Sequence, residues 1–569
     1  GLANGANTGM APDANIVVVE TDFSRPNWTL TVVDACDFIF KIADSLGMPA
    51  VVNISLGSYF GSHDGNDPAA NAMEGLLDAK KGRIIVSAAG NSGNVGKYHL
   101  HGEPTADTNF VWFQNNPSGA FGANTIFFDL WSDEIEATYD FALGCNLPSG
   151  AYSDRGRSLF HPAMSSIGIV INDTIWNGSD RIATYEAYTE IINGNYHLQL
   201  VIAVDSTAYN YRFETTGSGS FDLWSGSVFG YNNMVLNTPS STVFPDSIYY
   251  IEPDANQTIV SSWNCSEKIV SVANMRNRAS FIDFNLNNYT NADTTPPEKL
   301  SPNSSKGPNR HNVTKPDITA AGDVSLCAVP FTFLSNPANY NKVDSGGWHA
   351  TNGGTSMASP VVAGIAALYL ERCNRATHLN FLSDLHSQAY ADLYSGITPN
   401  NAYGYGKAHA LNTLLQESLA ITPTITSDWQ TATLTSSETT GNEWYLNDTV
   451  IIGATNQDYT ASAPYGSYQV LYTNMDGCSS FSSPLILSVG IEEINDNLMT
   501  SYPNPTNSII QIDFDGDISS ISIVDSQGKI CTIDKLTEKT YNLENLPAGN
   551  YLIRINTNKG VYTSKIVRL

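Results

Sequence analysis

Positive charge is scarce in this chain of 569 residues: 28 lysines and arginines stand against 55 aspartates and glutamates, a formal net charge of -27. Such a surface repels phosphate backbones and anionic lipid, so nucleic acid is not an expected partner. Long apolar runs are missing too. None approaches the roughly 20 residues that span a bilayer, and the chain reads as soluble or surface-attached. Cysteine is sparse: Cys36, Cys145, Cys265, Cys327, Cys373, Cys478 and Cys531 form no C-x-x-C pair and no Cys/His cluster. That argues against zinc and a dense disulfide framework, and leaves buried or partly paired core positions. The opening GLANGANTGMAP has neither the charged start nor the apolar core of a secretory signal.

What is present is globular, 42% hydrophobic and 15% charged, with length for about three or four domains. NIVVVETD (15–22) reads as a short buried strand and TVVDACDFIFKIADSL (31–46) as a helix by its apolar spacing. AVVNIS (50–55) is a second strand, 69–81 a helix and RIIVSA (83–88) a third strand. Strand and helix in alternation predict a parallel sheet covered on both faces, with the site built from loops at the carboxyl ends of the strands. SLGS (55–58) and AAGNSG (88–93) are such loops.

From 104 to 252 the texture becomes short strands with turn signals, which predicts an inserted β-sandwich of jelly-roll type. The interrupted α/β domain, 1–103, resumes over 253–420; an immunoglobulin-like β-sandwich is expected over 421–490 and a small C-terminal β-sandwich over 491–569. In the last, Tyr551, Ile553 and Ile555 alternate, and a hairpin is expected to turn at Ser526–Gly528.

GGTSMASPVVAG (353–364) carries the chemistry. Two glycines allow a close backbone approach, and Ser356 then opens a helix whose free N–H groups and positive dipole end face any negative charge developing near its oxygen. Pro360 is placed in the first turn, where a missing donor costs little. A plain helix-capping serine is the alternative if GTS stood alone. Asn91, in SAAGNSG, could equally be a turn residue.

GTSMASP resembles the nucleophile signature of the subtilisin-like serine peptidases, the S8 or subtilase family, and four further stretches match in order: VNISLGS (52–58), SAAGNSG (87–93), SSKGPNRHNVTKPDITAAG (304–322) and YGYGKAHA (403–410). The resemblance implies a subtilisin-like α/β fold and an endopeptidase in which Ser356 is the nucleophile and Asn91 donates to the oxyanion. Ser55, Leu56 and Gly57 would form one wall of the substrate site, and Ala88, Ala89 and Gly90 the other. Lys306 stands where the family usually has arginine and Ala321 where it has proline, both outside the chemistry. No cofactor is implied; calcium is common in the family, but no acidic ligand loop is recognisable and it is left open.

A serine nucleophile needs a general base oriented by a carboxylate. The family order is Asp, His, Ser, and TGMAPDANIVVVE (8–20) looks like the segment that follows the histidine helix. The catalytic Asp and His are therefore expected upstream of Gly1, either in a longer chain or on a processed second piece that stays bound. The ten histidines present read as exposed or hydrogen-bonded loop residues. YPNP (502–505), DSQGK (525–529) and LPAGNYLIRI resemble the C-terminal sorting domain of type IX secretion substrates of Bacteroidetes-type bacteria. That implies the type IX machinery as a partner, beside a protein or peptide substrate, and a secreted or surface location. The rival function is a non-catalytic, degenerate peptidase fold that binds or adheres at the bacterial surface.

Overall fold

The computed structural model describes residues 8–25, 28–115, 124–226, 232–254, 258–416, 421–428, 430–463, 465–487, 499–557 and 560–569. Two compact units emerge, Gly1–Pro423 with Leu471–Phe481, and Thr424–Val470 with Ser482–Leu569. The expected boundaries at 420 and 490 fall outside the described residues.

The first unit is organised by a four-stranded parallel sheet in spatial order β1 (Ala50–Ile54), β2 (Arg83–Ala88), β3 (Val270–Arg276), β4 (Ile318–Asp323). Its inner strands are apolar on both faces because both faces are covered. Ile84 and Val86 point to one side, with Val270, Val272 and Ile318, against helices α3 (Thr355–Arg372) and α4 (His378–Ser387). Ile85 points to the other, toward α1 (Trp28–Ser45) and α2 (Pro68–Asp78), whose Val32, Cys36, Phe40, Met73 and Leu77 complete a second core. Asp67 starts α2 by accepting from the Ala69 and Ala70 N–H groups at 3.1 and 3.0 Å, with Pro68 in the first turn.

The stretch NIVVVETD is not a strand. Residues 14–22 make no ladder, and Ile16 and Val18 are 72% and 85% exposed. An apolar run becomes a buried strand only beside a partner, and among the described residues none pairs with it; β1 likewise has β2 as its single neighbour.

Between β2 and β3 the chain builds two antiparallel sheets around a shared core. One runs in the order 99–102, 221–225, 125–133, 195–204, 180–192, 170–177; the other in the order 232–234, 109–115, 210–216, 140–146, 154–157, with 161–162 on 140–146. Phe113 and Phe128, one from each sheet, stack at 5.1 Å between centroids. Cys373 and Cys478 form a disulfide, while Cys36, Cys145 and Cys265 are buried free thiols; burial pushes Cys36 and Cys145 up to about 12, which makes them inert at neutral pH.

In the second unit, strands 425–428, 433–436 and 458–460 form one sheet and Trp444, Tyr468 and Val470 are buried. The C-terminal part pairs 499–502, 509–514, 540–542 and 534–535 in one sheet and 530–531, 518–524, 549–557 and 560–568 in another. Ile510, Ile512, Ile523, Ile553, Ile555 and Ile566 lie in its core. Asp525 closes the hairpin by accepting from Gln527 N and Lys529 N, both at 2.9 Å.

Buried histidines make the first unit sensitive to pH from both sides. Burial opposes charge on His197, but the Asp129 carboxylate at 2.7 Å and Glu190 at 2.9 Å outweigh it and raise the ring to about 9. Its contribution is complete below the ordinary histidine value near 6.5 and disappears as pH rises through about 9. His63, enclosed and stacked on Trp224 at 4.1 Å, is pushed down to about 4 by burial, so its contribution exists above about 6.5 and disappears as pH falls through about 4. Thermal melts should show a plateau near neutrality and a loss of about 5 °C on either side. The alkaline limb should flatten in His197→Gln; a wild-type profile flat from pH 6 to 10 would refute the assignment.

Candidate active site

Ser356 lies in the first turn of α3. Gly354, with φ 126°, precedes the helix and donates its N–H to Gly322 O at 2.8 Å. A Cβ at Gly354 would meet the Asn91 side chain at 3.0 to 3.4 Å, in a backbone region that side chains rarely adopt. Gly354→Ala is therefore expected to lower stability by about 1–3 kcal/mol and to displace Asn91. A urea midpoint and turnover number measured together check this, and both unchanged would refute it.

Pro360 is not in the first turn; it is the sixth helical residue, inside the hydrogen-bonded ladder. Its missing N–H leaves the carbonyl of Ser356 without its usual helical donor. The Ser55 hydroxyl supplies the replacement, donating to Ser356 O at 3.0 Å. In return the Ser356 hydroxyl donates to Ser55 O at 3.2 Å, and Ser359 Oγ lies 3.3 Å from Ser55 Oγ. The end of β1 and the start of α3 are thus joined through the nucleophile candidate itself.

Asn91 is brought to the same place by the loop after β2. Its Oδ1 accepts from the Thr355 N–H at 2.9 Å and the Thr355 hydroxyl at 3.1 Å, and Nδ2 has no hydrogen-bond partner among the described residues. Thr355 Oγ1 also accepts from Gly90 N at 3.1 Å. Thr355 is an ordinary helix residue by pattern; only the fold brings it to Asn91, 264 positions away.

The two expected walls flank this point. Ser55 and Leu56 are half-buried and Gly57 exposed, while Ala88 and Ala89 are buried, so their wall offers backbone and Gly90 rather than methyl groups. Ser261, which the sequence reading missed, joins them: its hydroxyl accepts from Ser58 N at 2.9 Å and its N–H donates to Ala89 O at 2.9 Å. A Cβ at Gly57 would stand 2.7 Å from Ser261 Oγ, so glycine there keeps the walls together.

No histidine reaches Ser356. Among the described residues its hydroxyl hydrogen-bonds Ser55 O alone. All ten histidines sit elsewhere, and most are not loop residues. His99, His101, His161 and His197 lie on strands of the insertion beside Asp222, Asp173 or Asp129. His378 and His386 belong to α4. His63 is held by Tyr59 O, His311 by Asp133, His349 by Asp344, and His409 caps Asn412.

Among the described residues one group of side chains has cation-site spacing, Asp64, Asp133 and His311. Arg310 lies among them, 2.7 Å from Asp133 and 2.5 Å from Asp64, and its guanidinium supplies the positive charge a metal would bring. The donor set is an ion-pair network and does not fit calcium.

The subtilase family profile matches residues 2–120 and 201–406, over more than half of the chain. This chain belongs to the subtilase family. A secretion system C-terminal sorting domain is matched over 500–568. The protein is accordingly a secreted or cell-surface member of a serine peptidase family carrying a type IX sorting domain, and no described helix is long and apolar enough to cross a membrane. Serine protease AprX of Bacillus subtilis (strain 168) is 33% identical over 121 residues, 21% of this chain and 24% of that protein. The chain thus matches about a quarter of the length of that relative. Among solved structures, the CspB protease of Clostridium perfringens gives a TM-score of 0.47 at 18% identity, covering 68% of this chain and 71% of its own. The S41 psychrophilic protease gives 0.26 at 15%, covering 67% and 63%.

Proposed function

We propose that this subtilase is a serine endopeptidase acting through an acyl-enzyme on Ser356, with Asn91 Nδ2 and the Ser356 N–H in the oxyanion hole. The observation that supports the reading is the double hold of Thr355, the residue before Ser356, on Asn91 Oδ1, which fixes the amide by its oxygen and leaves the donor end for a substrate oxygen. A peptide would pair with the Ser55–Gly57 edge and face Ala88–Gly90.

In this reading the base and its carboxylate come from a segment outside these 569 residues, which is supported by the Ser356 hydroxyl meeting Ser55 O and no histidine among the described residues. Among the described residues β1 has β2 as its one ladder partner, and Ile16 and Val18 are exposed; both observations support such a partner. In the reaction the base takes the Ser356 proton as Oγ bonds to the scissile carbon, and the carbonyl electron pair moves to the oxygen held by Asn91. The C–N bond then breaks, and the amine leaves with the proton returned by the base. Water repeats the sequence on the ester.

A fluorophosphonate probe on the purified protein, read with denaturing mass spectrometry, tests this. Labelling of Ser356 in preparations that contain a further segment with the histidine is the expected result. An active preparation without any such segment would overturn the proposal about the base. The rival, a binding protein with a peptidase fold, is favoured by the single carbonyl partner of the Ser356 hydroxyl; no labelling of the complete protein would establish it.

A further inference from the structure

We propose that Tyr59 is a positioning residue through which the inserted sandwich holds the oxyanion loop. The inference rests on the reading of Asn91 given above. Tyr59 lies just past the Ser55–Gly57 wall, and its hydroxyl accepts from the backbone N–H of Asn91 at 2.8 Å. The phenol covers Gly90: a Cβ there would be 2.7 Å from the Tyr59 hydroxyl and 3.1 Å from Cε1. Asn91 is thereby fixed at two points, its side-chain oxygen by Thr355 and its backbone by Tyr59.

The segment that carries Tyr59, residues 58–67, has no helix or strand of its own. The insertion holds it at several points, beside anchors from Ser261, Ser262 and Arg310. Gly61 N donates to Asp129 Oδ2 at 3.0 Å, and Asp129 is itself fixed by Trp131 Nε1 and His197 Nε2, both at 2.7 Å. Phe60 meets Phe127 edge-on at 5.0 Å, and Asn195 donates to Asp64 at 2.7 Å. The His63 ring stacks on Trp224 and contacts Tyr59 O at 3.1 Å, while Tyr98, which leads into the insertion, packs edge-on against Tyr59 at 6.1 Å.

The physical consequence is preorganisation. Asn91 is exposed, and an exposed loop asparagine samples several backbone positions unless its N–H is held. An oxyanion donor works only when fixed within a few tenths of an ångström before charge develops. The inserted sandwich would supply that rigidity, and the loop 58–67 would transmit it. A disturbance of the insertion at Asp129, 39 residues beyond Gly90 in sequence, should then appear as a change in turnover rather than in substrate affinity.

The test uses the complete active enzyme. Tyr59→Phe is expected to lower kcat by about 10-fold with KM nearly unchanged. Asp129→Ala should lower kcat in the same direction. In an Asn91→Ala background, Tyr59→Phe should cost nothing further, because it acts through Asn91. Hydrogen exchange of the Asn91 amide should be at least about 10-fold faster in Tyr59→Phe while the melting temperature stays put. An equal loss of kcat in the Asn91→Ala background, or an unchanged exchange rate, would overturn the inference. A failure of Ser356 to react with fluorophosphonate in the same preparation would instead count against the peptidase reading, and the exchange result would still decide whether Tyr59 holds the loop.

Discussion

Ser356→Ala is expected to lower kcat by about 10⁶-fold, the scale known for the triad serine of subtilisin, with KM little changed. The hydroxyl is the only proposed nucleophile, so its loss removes the covalent route entirely. What remains is substrate binding and the oxyanion donors, which alone accelerate hydrolysis by about 10³–10⁴ over water. Stability should barely move. The hydroxyl donates one bond, to Ser55 O at 3.2 Å, from a half-buried position, and the reverse bond from Ser55 Oγ to Ser356 O does not involve the Ser356 side chain. A loss of about 1 kcal/mol or less follows, since water can reach the freed carbonyl. Turnover on a peptide substrate, fluorophosphonate labelling and a thermal melt separate the two effects. Labelling that persists at another serine in Ser356→Ala would move the nucleophile elsewhere.

The parts of the site that were legible in the sequence are local. SLGS, AAGNSG and GGTSMASP each hold their chemistry within seven or eight residues, and the parallel sheet follows from apolar runs alternating with amphipathic helices. What escaped depends on partners far along the chain. Val17 and Val18 look like a buried strand because an apolar run carries no sign of whether a neighbouring strand is there. Pro360 looked harmless in a first turn; the register of α3 puts it one turn deeper, and the compensation comes from Ser55, some 300 residues earlier. The histidines read as loop residues because their carboxylate partners, such as Asp222 for His99 and Asp129 for His197, lie on other strands. Thr355 and Tyr59 were invisible for the same reason: each reaches Asn91 from a distant point of the chain.

That convergence on one amide makes Asn91 the second large effect. Asn91→Ala should reduce kcat by about 10²–10³-fold with KM within about 2-fold, the loss known for one oxyanion donor in subtilisin. The split follows from timing: the ground-state carbonyl gains little from Nδ2, whereas the tetrahedral oxyanion gains a full charge-assisted bond. Truncation also frees the Thr355 N–H and hydroxyl, so a loosened α3 terminus is a second route to the same loss. Asn91→Asp separates the two causes. A carboxylate keeps both Thr355 contacts and the side-chain volume, but offers no donor and sets a negative charge beside the developing oxyanion. If the donor matters, Asn91→Asp loses at least as much kcat as Asn91→Ala while melting like the wild type. If Asn91 merely ties the loop to α3, Asn91→Asp retains near wild-type turnover, and the oxyanion assignment falls.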